Sequence, residues 1–328
     1  MKPIFLLSLL LSFFVSILTA GPAKKLTIAV IPKGTSHEFW KSIHAGAIKA
    51  ERESEAEGRE INLIWKGPLR EDDREQQVQV VENFIGRRID GMVLAPLDSQ
   101  ALAGPVETAH RAGIPVVIID SGLNTNKIIS YIATDNYKGG QLAADRLAEL
   151  LGSKGKALML RCQVGSASTE EREAGFLNQL RGRHPGIEIV SSDQHGGATR
   201  DTAYRASQNL LNRFGRDLDG IFTPNESTSV GMLLAMRDAG LANGRVRFVG
   251  FDSGKQLVGA LKANDLEGLI VQNPFMMGYL GVKTLIDHID GKTVDPWVDT
   301  GVLTVTPDNF EDPEIAKLLN PPLEKYLN

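Results

Sequence analysis

The chain has 328 residues, of which 42% are hydrophobic and 23% are charged, and its net charge is −4 at pH 7. This composition is typical of a globular protein, and the acidic balance argues against a nucleic-acid partner, which would require a basic face. The single cysteine, Cys162, excludes an intramolecular disulfide. Because Cys162 follows an apolar run, we expect a buried structural thiol.

The first 23 residues have the pattern of a secretory signal peptide. Lys2 provides a positive charge, Ile4 to Leu18 is almost entirely apolar, and small residues follow at Thr19, Ala20, Gly21 and Ala23. A membrane-spanning helix needs about 20 apolar residues, so removal is favoured over retention as an anchor. Cleavage after Ala20 and after Ala23 both stay open. The pattern predicts export to the periplasm, and the remaining length suggests about two domains.

Short β-branched runs alternate with amphipathic stretches along the rest of the chain. The predicted strands are Leu26–Ile31, Ile61–Trp65, Gly91–Ala95, Pro115–Ile119, Tyr131–Ala133, Lys156–Leu160, Ile187–Val190, Gly220–Thr223, Arg247–Phe251 and Leu269–Gln272. The predicted helices are Glu38–Ala56, Arg74–Arg87, Ala101–Ala112, Tyr137–Leu151, Thr169–Arg183, Thr202–Phe214, Ser229–Ala239 and Phe275–Asp290. Such alternation, with strands apolar at nearly every position, predicts an α/β protein with doubly wound parallel sheets.

An internal repeat divides this alternation into two similar halves. In the first half, a strand beginning at Asp90-Gly91 leads through a helix to a strand that ends before Asp120-Ser121-Gly122. The second half repeats this order from Asp219-Gly220 to Asp252-Ser253-Gly254. Each half also carries an Ala-Gly pair in its first helix, at Ala45-Gly46 and Ala174-Gly175. We therefore predict two similar α/β lobes.

Ligands of open α/β sheets bind beyond the carboxyl ends of the strands, where this chain has aromatic and acidic residues. Phe39 and Trp40 open the first helix, and an aromatic ring there can stack on the C–H face of a sugar. Packing of one of the pair in the core is the alternative. Asp120 and Asp252 directly follow apolar strands at equivalent points of the repeat. A carboxylate can accept hydrogen bonds from two neighbouring hydroxyls, although helix capping is the alternative for each aspartate.

Arg172 is the candidate cation of the site. Ser168 and Glu171 have the spacing of a capping box, which predicts that a helix starts there and places Arg172 in its first turn, facing the cleft. A surface ion pair with Glu170 or Glu173 is the alternative.

Asn225 and Gln272 are amides at strand ends, where each can both donate and accept hydrogen bonds. The six histidines have no metal-like spacing, and no pair of residues has the pattern of a nucleophile with its base. We therefore predict no metal site, no cofactor and no catalytic residue.

In this order, the motifs resemble the ribose-binding-protein-like branch of the periplasmic sugar-binding proteins, which serve ABC importers and share a core with the lac-repressor family. The resemblance runs from about Leu26 to Val302. The motifs that carry it are Phe39-Trp40, Asp90-Gly91 with Ala95-Pro96, Asp120, Thr134-Asp135-Asn136 with Gly139-Gly140, Arg172 with Gly175-Phe176, Asn225, Gly250-Phe251-Asp252, and Gln272 ahead of Pro274.

The resemblance implies two doubly wound parallel-sheet lobes of the periplasmic binding protein type I fold, joined by a three-strand hinge. The crossings would lie near Thr134–Asp135, Gln272–Asn273 and Thr300–Gly301. Residues 24–134 and 273–300 would form the N-terminal lobe, and residues 135–272 and 301–328 the C-terminal lobe.

The resemblance also implies a function. A monomeric, non-enzymatic protein would capture a sugar or related polyol by hinge closure and deliver it to the permease of an ABC importer. The implied ligand-binding residues are Phe39, Trp40, Asp120, Arg172, Asn225, Phe251, Asp252 and Gln272.

Two departures argue against ribose itself as the ligand. Ribose binders carry an arginine directly after the first aspartate, where this chain has Ser121, and the loop from Lys33 to Glu38 lacks the usual asparagines. A periplasmic sensor that presents its ligand to a membrane receptor kinase stays open as the alternative function. A lac-type repressor would need a basic helix-turn-helix before the core, and the sequence has a signal peptide pattern there instead.

Overall fold

The computed structural model describes residues 25–327, so the predicted signal peptide at residues 1–23 lies outside the described residues. The strands are β1 (Leu26–Ile31), β2 (Ile61–Trp65), β3 (Gly91–Leu94), β4 (Val116–Ile119), β5 (Ser130–Ala133), β6 (Gly155–Met159), β7 (Ile187–Ser191), β8 (Gly220–Phe222), β9 (Arg247–Phe251), β10 (Gly268–Gln272), β11 (Trp297–Asp299) and β12 (Val302–Val305). The helices are α1 (Glu38–Ala56), α2 (Arg74–Gly86), α3 (Ala103–Arg111), α4 (Asn136–Leu151), α5 (Ala167–Arg183), α6 (Arg200–Phe214), α7 (Glu226–Asp238), α8 (Lys255–Lys262), α9 (Pro274–Ile289), α10 (Pro313–Leu319) and α11 (Leu323–Leu327).

The strands form two six-stranded sheets whose orders correspond. The first sheet has the order β2-β1-β3-β4-β5-β11, and the second has the order β7-β6-β8-β9-β10-β12. Among the described strands, only β12 pairs antiparallel to its neighbour. Strands β3 and β4 are buried at every position, as expected where helices cover both faces. The two-lobed α/β fold predicted from the repeat is therefore confirmed.

Five short elements, β11, β12, α8, α10 and α11, were not among the predicted strands and helices. Within residues 25–327, no helix is both long enough and apolar enough to cross a lipid bilayer.

The chain passes between the sheets at three points. They lie between β5 and α4, between β10 and α9, and between β11 and β12. Helix α4 packs on β9, β10 and β12 of the second sheet, whereas α9 packs on β3, β4 and β5 of the first. The Thr134 hydroxyl donates a hydrogen bond to the Gly301 carbonyl at 3.2 Å, which ties the first crossing to the third.

The last helix lies on the opposite lobe from the helix before it. Apolar side chains of α10 pack against the core of the second lobe, whereas α11 lies on α1 of the first. Tyr326 is only 8% exposed, and its ring centroid lies 5.8 Å from that of Phe275. For α11 the structure therefore differs from the predicted division, which assigned residues 301–328 entirely to the C-terminal lobe.

Glycines allow two helix pairs to cross in close contact, one in each lobe. A Cβ atom on Gly46 of α1 would lie 2.0 Å from the Phe275 carbonyl oxygen of α9. A Cβ atom on Gly175 of α5 would lie 2.1 Å from the Tyr137 carbonyl oxygen of α4. Since no side chain fits in so little space, the Ala-Gly pairs of the repeat mark equivalent helix crossings.

Replacing Gly175 by alanine should therefore destabilise the protein by about 1–3 kcal/mol, because the added methyl group must push α4 away from α5. The matched control is Gly182→Ala on the same helix, where a Cβ atom would have nothing within 4 Å. There alanine should stabilise the helix by roughly 0.5–1 kcal/mol. Urea denaturation of both variants measures the difference, and equal stabilities would contradict the close crossing.

Candidate ligand site between the lobes

The carboxyl ends of the two sheets face each other, and their loops enclose a small cavity. Its volume is about 30 Å³. Both lobes contribute to its wall, so the structure is closed. The lining residues are Lys33, His37, Phe39, Trp40, Glu71 and Asp120 from the first lobe, and Cys162, Gln163, Ser166, Ser168, Thr169, Arg172, Asn225, Glu226, Asp252 and Gln272 from the second.

All of the predicted ligand-binding residues except Phe251 line this cavity. Phe251 is fully buried and lies behind Arg172, whose guanidinium carbon is 3.9 Å from the centre of its ring. The aromatic face therefore supports the guanidinium through a cation–π contact. A direct contact of Phe251 with a sugar stays a prediction.

Phe39 and Trp40 both reach the cavity, although they are neighbours in sequence. Their rings meet edge to face, with centroids 5.0 Å apart and an interplanar angle of 87°. The Trp40 indole N–H donates to Glu71 Oε1 at 2.7 Å, which fixes the orientation of its ring. The first turn of α1 thus presents two rings at right angles to the same space.

The two strand-end aspartates share an unusual backbone conformation. Asp120 has φ 66° and Asp252 has φ 71°, in the left-handed region that aspartate tolerates better than most residues. Asp252 does not cap α8, whose N-cap is Gly254. Its Oδ2 accepts instead from the backbone N–H of Glu226, the first residue of α7, at 3.0 Å. The carboxylate of Asp120 lies 2.8 Å from Lys33 Nζ.

Arg172 is 2% exposed and donates to three protein acceptors. Its Nε atom donates to Asn136 Oδ1 at 2.8 Å, Nη1 to the Pro224 carbonyl at 3.0 Å, and Nη2 to Gln272 Oε1 at 3.1 Å. Because a buried charge is strongly destabilising unless it is paired, these bonds keep the guanidinium in place at the cavity wall.

The surface ion pair considered as the alternative role of Arg172 is not formed. Glu173 pairs with Arg161 at 2.7 Å, and Glu170 Oε1 accepts from the backbone N–H of Gly165 at 2.8 Å. The predicted place of Arg172 in the first turn of the helix is wrong, because α5 begins at Ala167 and Arg172 lies in its second turn. Its side chain lines the cavity between the lobes, as expected.

The predicted capping box of Ser168 and Glu171 is wrong. Helix α5 begins at Ala167 with Ser166 as its N-cap, and no side chain caps it. The Ser168 hydroxyl instead accepts from Lys33 Nζ at 3.2 Å. The pattern predicted the start of the helix, but the hydroxyl forms a contact between the lobes.

Gln272 links Arg172 to Asp252. Its Nε2 atom donates to Asp252 Oδ1 at 2.6 Å, while its Oε1 atom accepts from the guanidinium. Burial raises the pKa of Asp252, and the positive charge of Arg172 opposes this effect. The arginine, the amide and the carboxylate therefore form one connected polar network in the second lobe.

Asn225 has a structural role at the cavity wall. It is the N-cap of α7, and it forms a capping box with Thr228. Its Nδ2 atom donates to the Ser227 hydroxyl at 2.9 Å. Most of the hydrogen-bonding capacity of Asn225 therefore serves the start of α7. A contact of this residue with a ligand stays a prediction.

A histidine bridges the two lobes at one end of the cavity. His37 Nδ1 lies 3.2 Å from Glu71 Oε1 of the first lobe and 3.2 Å from Glu226 Oε2 of the second. Glu226 also pairs with Arg200. Burial alone would lower the pKa of His37, but the hydrogen bond to Glu226 and the charge of Glu71 outweigh burial, so the pKa is raised. The imidazole Nδ1 thus lies between carboxylates from both lobes.

Nothing in the lining resembles a reactive centre. Burial raises the pKa of the Cys162 thiol to about 12, which leaves it protonated at neutral pH. Across residues 25–327, no group of three or more histidine, cysteine and acidic residues could hold a metal ion.

Comparisons with known proteins agree with this architecture. Residues 28–293 match the family model described as a periplasmic binding protein domain. The chain is 28% identical to the ribose import binding protein of Bacillus subtilis, over 84% of this chain and 85% of that protein. It is 30% identical to the D-ribose/D-allose-binding protein of Pseudomonas aeruginosa, over 88% of this chain and 91% of that protein.

A solved structure shows the same fold. The carbohydrate transporter solute binding protein from Agrobacterium radiobacter, crystallised in complex with D-arabinose, superposes with a TM-score of 0.85 at 31% identity. The superposition covers 90% of this chain and 99% of that chain.

The raised pKa of His37 predicts a pH dependence of stability. A raised pKa in the folded state stabilises the protein below the unfolded value of 6.5, and this stabilisation is lost as the pH rises through the folded value. The free energy of unfolding should therefore fall as the pH is raised above about 6.5, and His37→Asn should remove this fall. Urea denaturation of both proteins across that range measures it. Parallel pH profiles would contradict the bridge.

Proposed function

Because the chain belongs to the periplasmic binding protein domain family, we propose that it captures a sugar or related polyol between its lobes and delivers it to an ABC importer. Its relatives are sugar-binding proteins of ABC transporters rather than enzymes. The proposal includes a periplasmic location, a monomeric state and a permease as partner. The observation that carries it is the closed cavity to which both lobes contribute charged and amide groups. No feature of residues 25–327 favours the sensor alternative.

The lining suits a ligand rich in hydroxyl groups. A sugar hydroxyl both donates and accepts, and the wall offers the carboxylates of Asp120 and Asp252 beside the N–H groups of Arg172. Hydrogen bonds to such ionised groups are stronger than neutral ones. The rings of Phe39 and Trp40 can cover the apolar face of a pyranose or furanose ring. Ribose and allose binding by the relatives, and arabinose binding by the structural neighbour, support a monosaccharide.

Contacts between the lobes close the site. The backbone N–H of Ser168 donates to the Ser121 hydroxyl at 3.1 Å, and that of Lys255 donates to Glu38 Oε2 at 3.0 Å. Because both lobes form the wall of the cavity, a ligand must enter while the lobes are apart. A ligand that bonds to both walls favours the closed state in proportion to its extra affinity for that state.

A panel of D-ribose, D-allose, D-arabinose and xylitol tests the proposal by thermal shift. A ligand that binds only the folded protein should raise the melting temperature. At saturation, small-angle scattering should then show a smaller radius of gyration, with an unchanged circular dichroism spectrum. Failure of every sugar and polyol to bind would contradict the function. An unchanged radius of gyration with bound sugar would contradict hinge closure.

Replacing Asp252 by alanine should weaken binding of the sugar found in this way. The expected loss is about 1.5–3 kcal/mol, because a hydrogen bond to a charged group is removed. Titration calorimetry measures the loss. Asp217→Ala, at an exposed aspartate on the surface of the same lobe, is the control and should bind normally. Asp252→Asn preserves the shape of the side chain, and wild-type affinity in both Asp252 variants would remove this residue from the site.

A further inference from the structure

The end of the chain forms a further connection between the lobes, in addition to the three crossings of the hinge. Helix α10 is attached to the second lobe, whereas α11 is attached to the first. Only residues 320–322, which we call the strap, join the two helices. The strap therefore links two bodies that must move apart whenever the hinge opens.

The apolar face of α10 anchors the strap on the second lobe. Ile315, Leu318 and Leu319 pack against the core of that lobe. The Asn320 side chain then closes the helix, because its Nδ2 atom donates to the Ala316 carbonyl at 2.8 Å. The strap consequently starts at a fixed point of the second lobe.

The anchor on the first lobe depends on a few specific contacts. Arg52 of α1 donates to the Lys325 carbonyl at 2.8 Å and to the Tyr326 carbonyl at 3.3 Å. The Tyr326 ring is itself almost completely buried. Helix α11 has five residues, and an isolated helix shorter than about 12 residues is marginal in water. These contacts, rather than the helix itself, therefore hold the end of the chain on the first lobe.

The strap crosses a gap between the lobes without filling it. Together with the first turns of α1 and with α8, it lines a pocket of about 740 Å³. The starts of these two helices meet here, where the backbone N–H of Lys255 donates to Glu38 Oε2 at 3.0 Å. Opening of the hinge would break this bond and separate α1 from α8, which pulls the two ends of the strap apart.

The strap is too short to follow a wide opening. A fully extended residue spans at most about 3.3–3.6 Å, and Pro321 and Pro322 have a fixed φ angle that restricts the chain further. The strap has a small reserve of length, because the Leu323 N–H donates to the Pro321 carbonyl at 2.8 Å and so closes a tight turn. Straightening this turn lengthens the strap by only a few ångströms.

We propose that the strap sets the limit to which the hinge can open. As the lobes separate, the turn at Pro321 straightens first, and any further opening requires α11 to leave α1. That step breaks both hydrogen bonds from Arg52 and exposes Tyr326, so it is unfavourable. The inference rests on the hinge motion of the proposed function and goes beyond it, because the limit holds whatever ligand the cleft binds.

A limited opening has a thermodynamic benefit for a binding protein. Fewer open conformations are accessible to the ligand-free protein, so less conformational freedom is lost when the lobes close. The strap thus keeps the two walls of the cleft near each other while the cleft is empty.

Distances between spin labels in the ligand-free protein test the limit. Glu82→Cys on α2 and Arg181→Cys on α5 place labels at exposed sites of opposite lobes, whereas the native Cys162 is buried. The test variant carries about six glycine and serine residues, which form a flexible linker, between Asn320 and Pro321. Both anchors remain, but the strap is longer. The largest distance between the labels should increase by more than about 5 Å, since each added residue can supply up to about 3.3 Å.

Two further variants separate a longer strap from other effects. The same insertion between Lys292 and Thr293, in an exposed turn of the first lobe, should leave the label distances as in the wild type. Arg52→Ala removes the donors that hold α11 and should also widen the opening. It serves as the second variant if the insertion in the strap folds poorly, as judged by circular dichroism.

Wild-type label distances in the folded variant with the longer strap would overturn the inference, whatever Arg52→Ala shows. These distances are measured without ligand, so the outcome is distinguishable from a failure of the proposed function. Failure of every sugar and polyol to bind would contradict sugar capture but would leave the measured limit in place. Label distances that stay the same when a bound sugar is added to the wild type would contradict hinge closure, and with it this inference.

Discussion

The need to pair one buried guanidinium shapes the second lobe. Arg172 is removed from water, so each of its nitrogens needs an acceptor. Those acceptors come from α4 through Asn136, from the loop before α7 through Pro224, and from β10 through Gln272. Phe251 of β9 supports the flat face of the group. Because these partners belong to different elements, the position of Arg172 depends on how α4, β9, β10 and the loop before α7 are placed relative to one another. The carboxylate of Asp252 is held in turn by the amide of Gln272.

The first lobe uses its charges differently. Lys33 donates to hydroxyls of the opposite lobe, and His37 lies between Glu71 of its own lobe and Glu226 across the cleft. Opening the hinge would break these contacts, whereas the network around Arg172 lies within one lobe and would persist. The half of the site in the second lobe is therefore preorganised, which reduces the entropic cost of binding. In the first lobe, Lys33 and His37 gain their partners from the second lobe only when the hinge closes. Closure is therefore sensitive to a ligand that lies between the two lobes.

Periodicity and the repeat were sufficient to predict most of the fold and several of the residues that line the cavity between the lobes. Apolar runs predicted the buried strands, and the equivalent strand ends predicted Asp120 and Asp252, since parallel strands place their carboxyl ends at one edge. The place of Glu71 in the cavity wall was not predicted. Glu71 lies in a loop after β2, and the polar sequence of that loop indicates only that it is exposed to solvent. Ser168 has the spacing of a cap, but tertiary contact with another lobe determined where its hydroxyl points. Helix α11 is too short for a periodic pattern to indicate it, so the return of the chain to the first lobe after α10 could be found only from tertiary packing.

The docking of α11 has a consequence for how the motion of this molecule can be observed. Helices α10 and α11 are attached to different lobes, and only residues 320–322 separate them. Arg52 holds the final turn on the first lobe by donating to the Lys325 carbonyl at 2.8 Å. A reporter fused to the end of the chain is consequently carried by the first lobe, although the helix just before the linker moves with the second. A pair of labels, one on α10 and one on α11, therefore reports rotation of the hinge as a change in the distance between them.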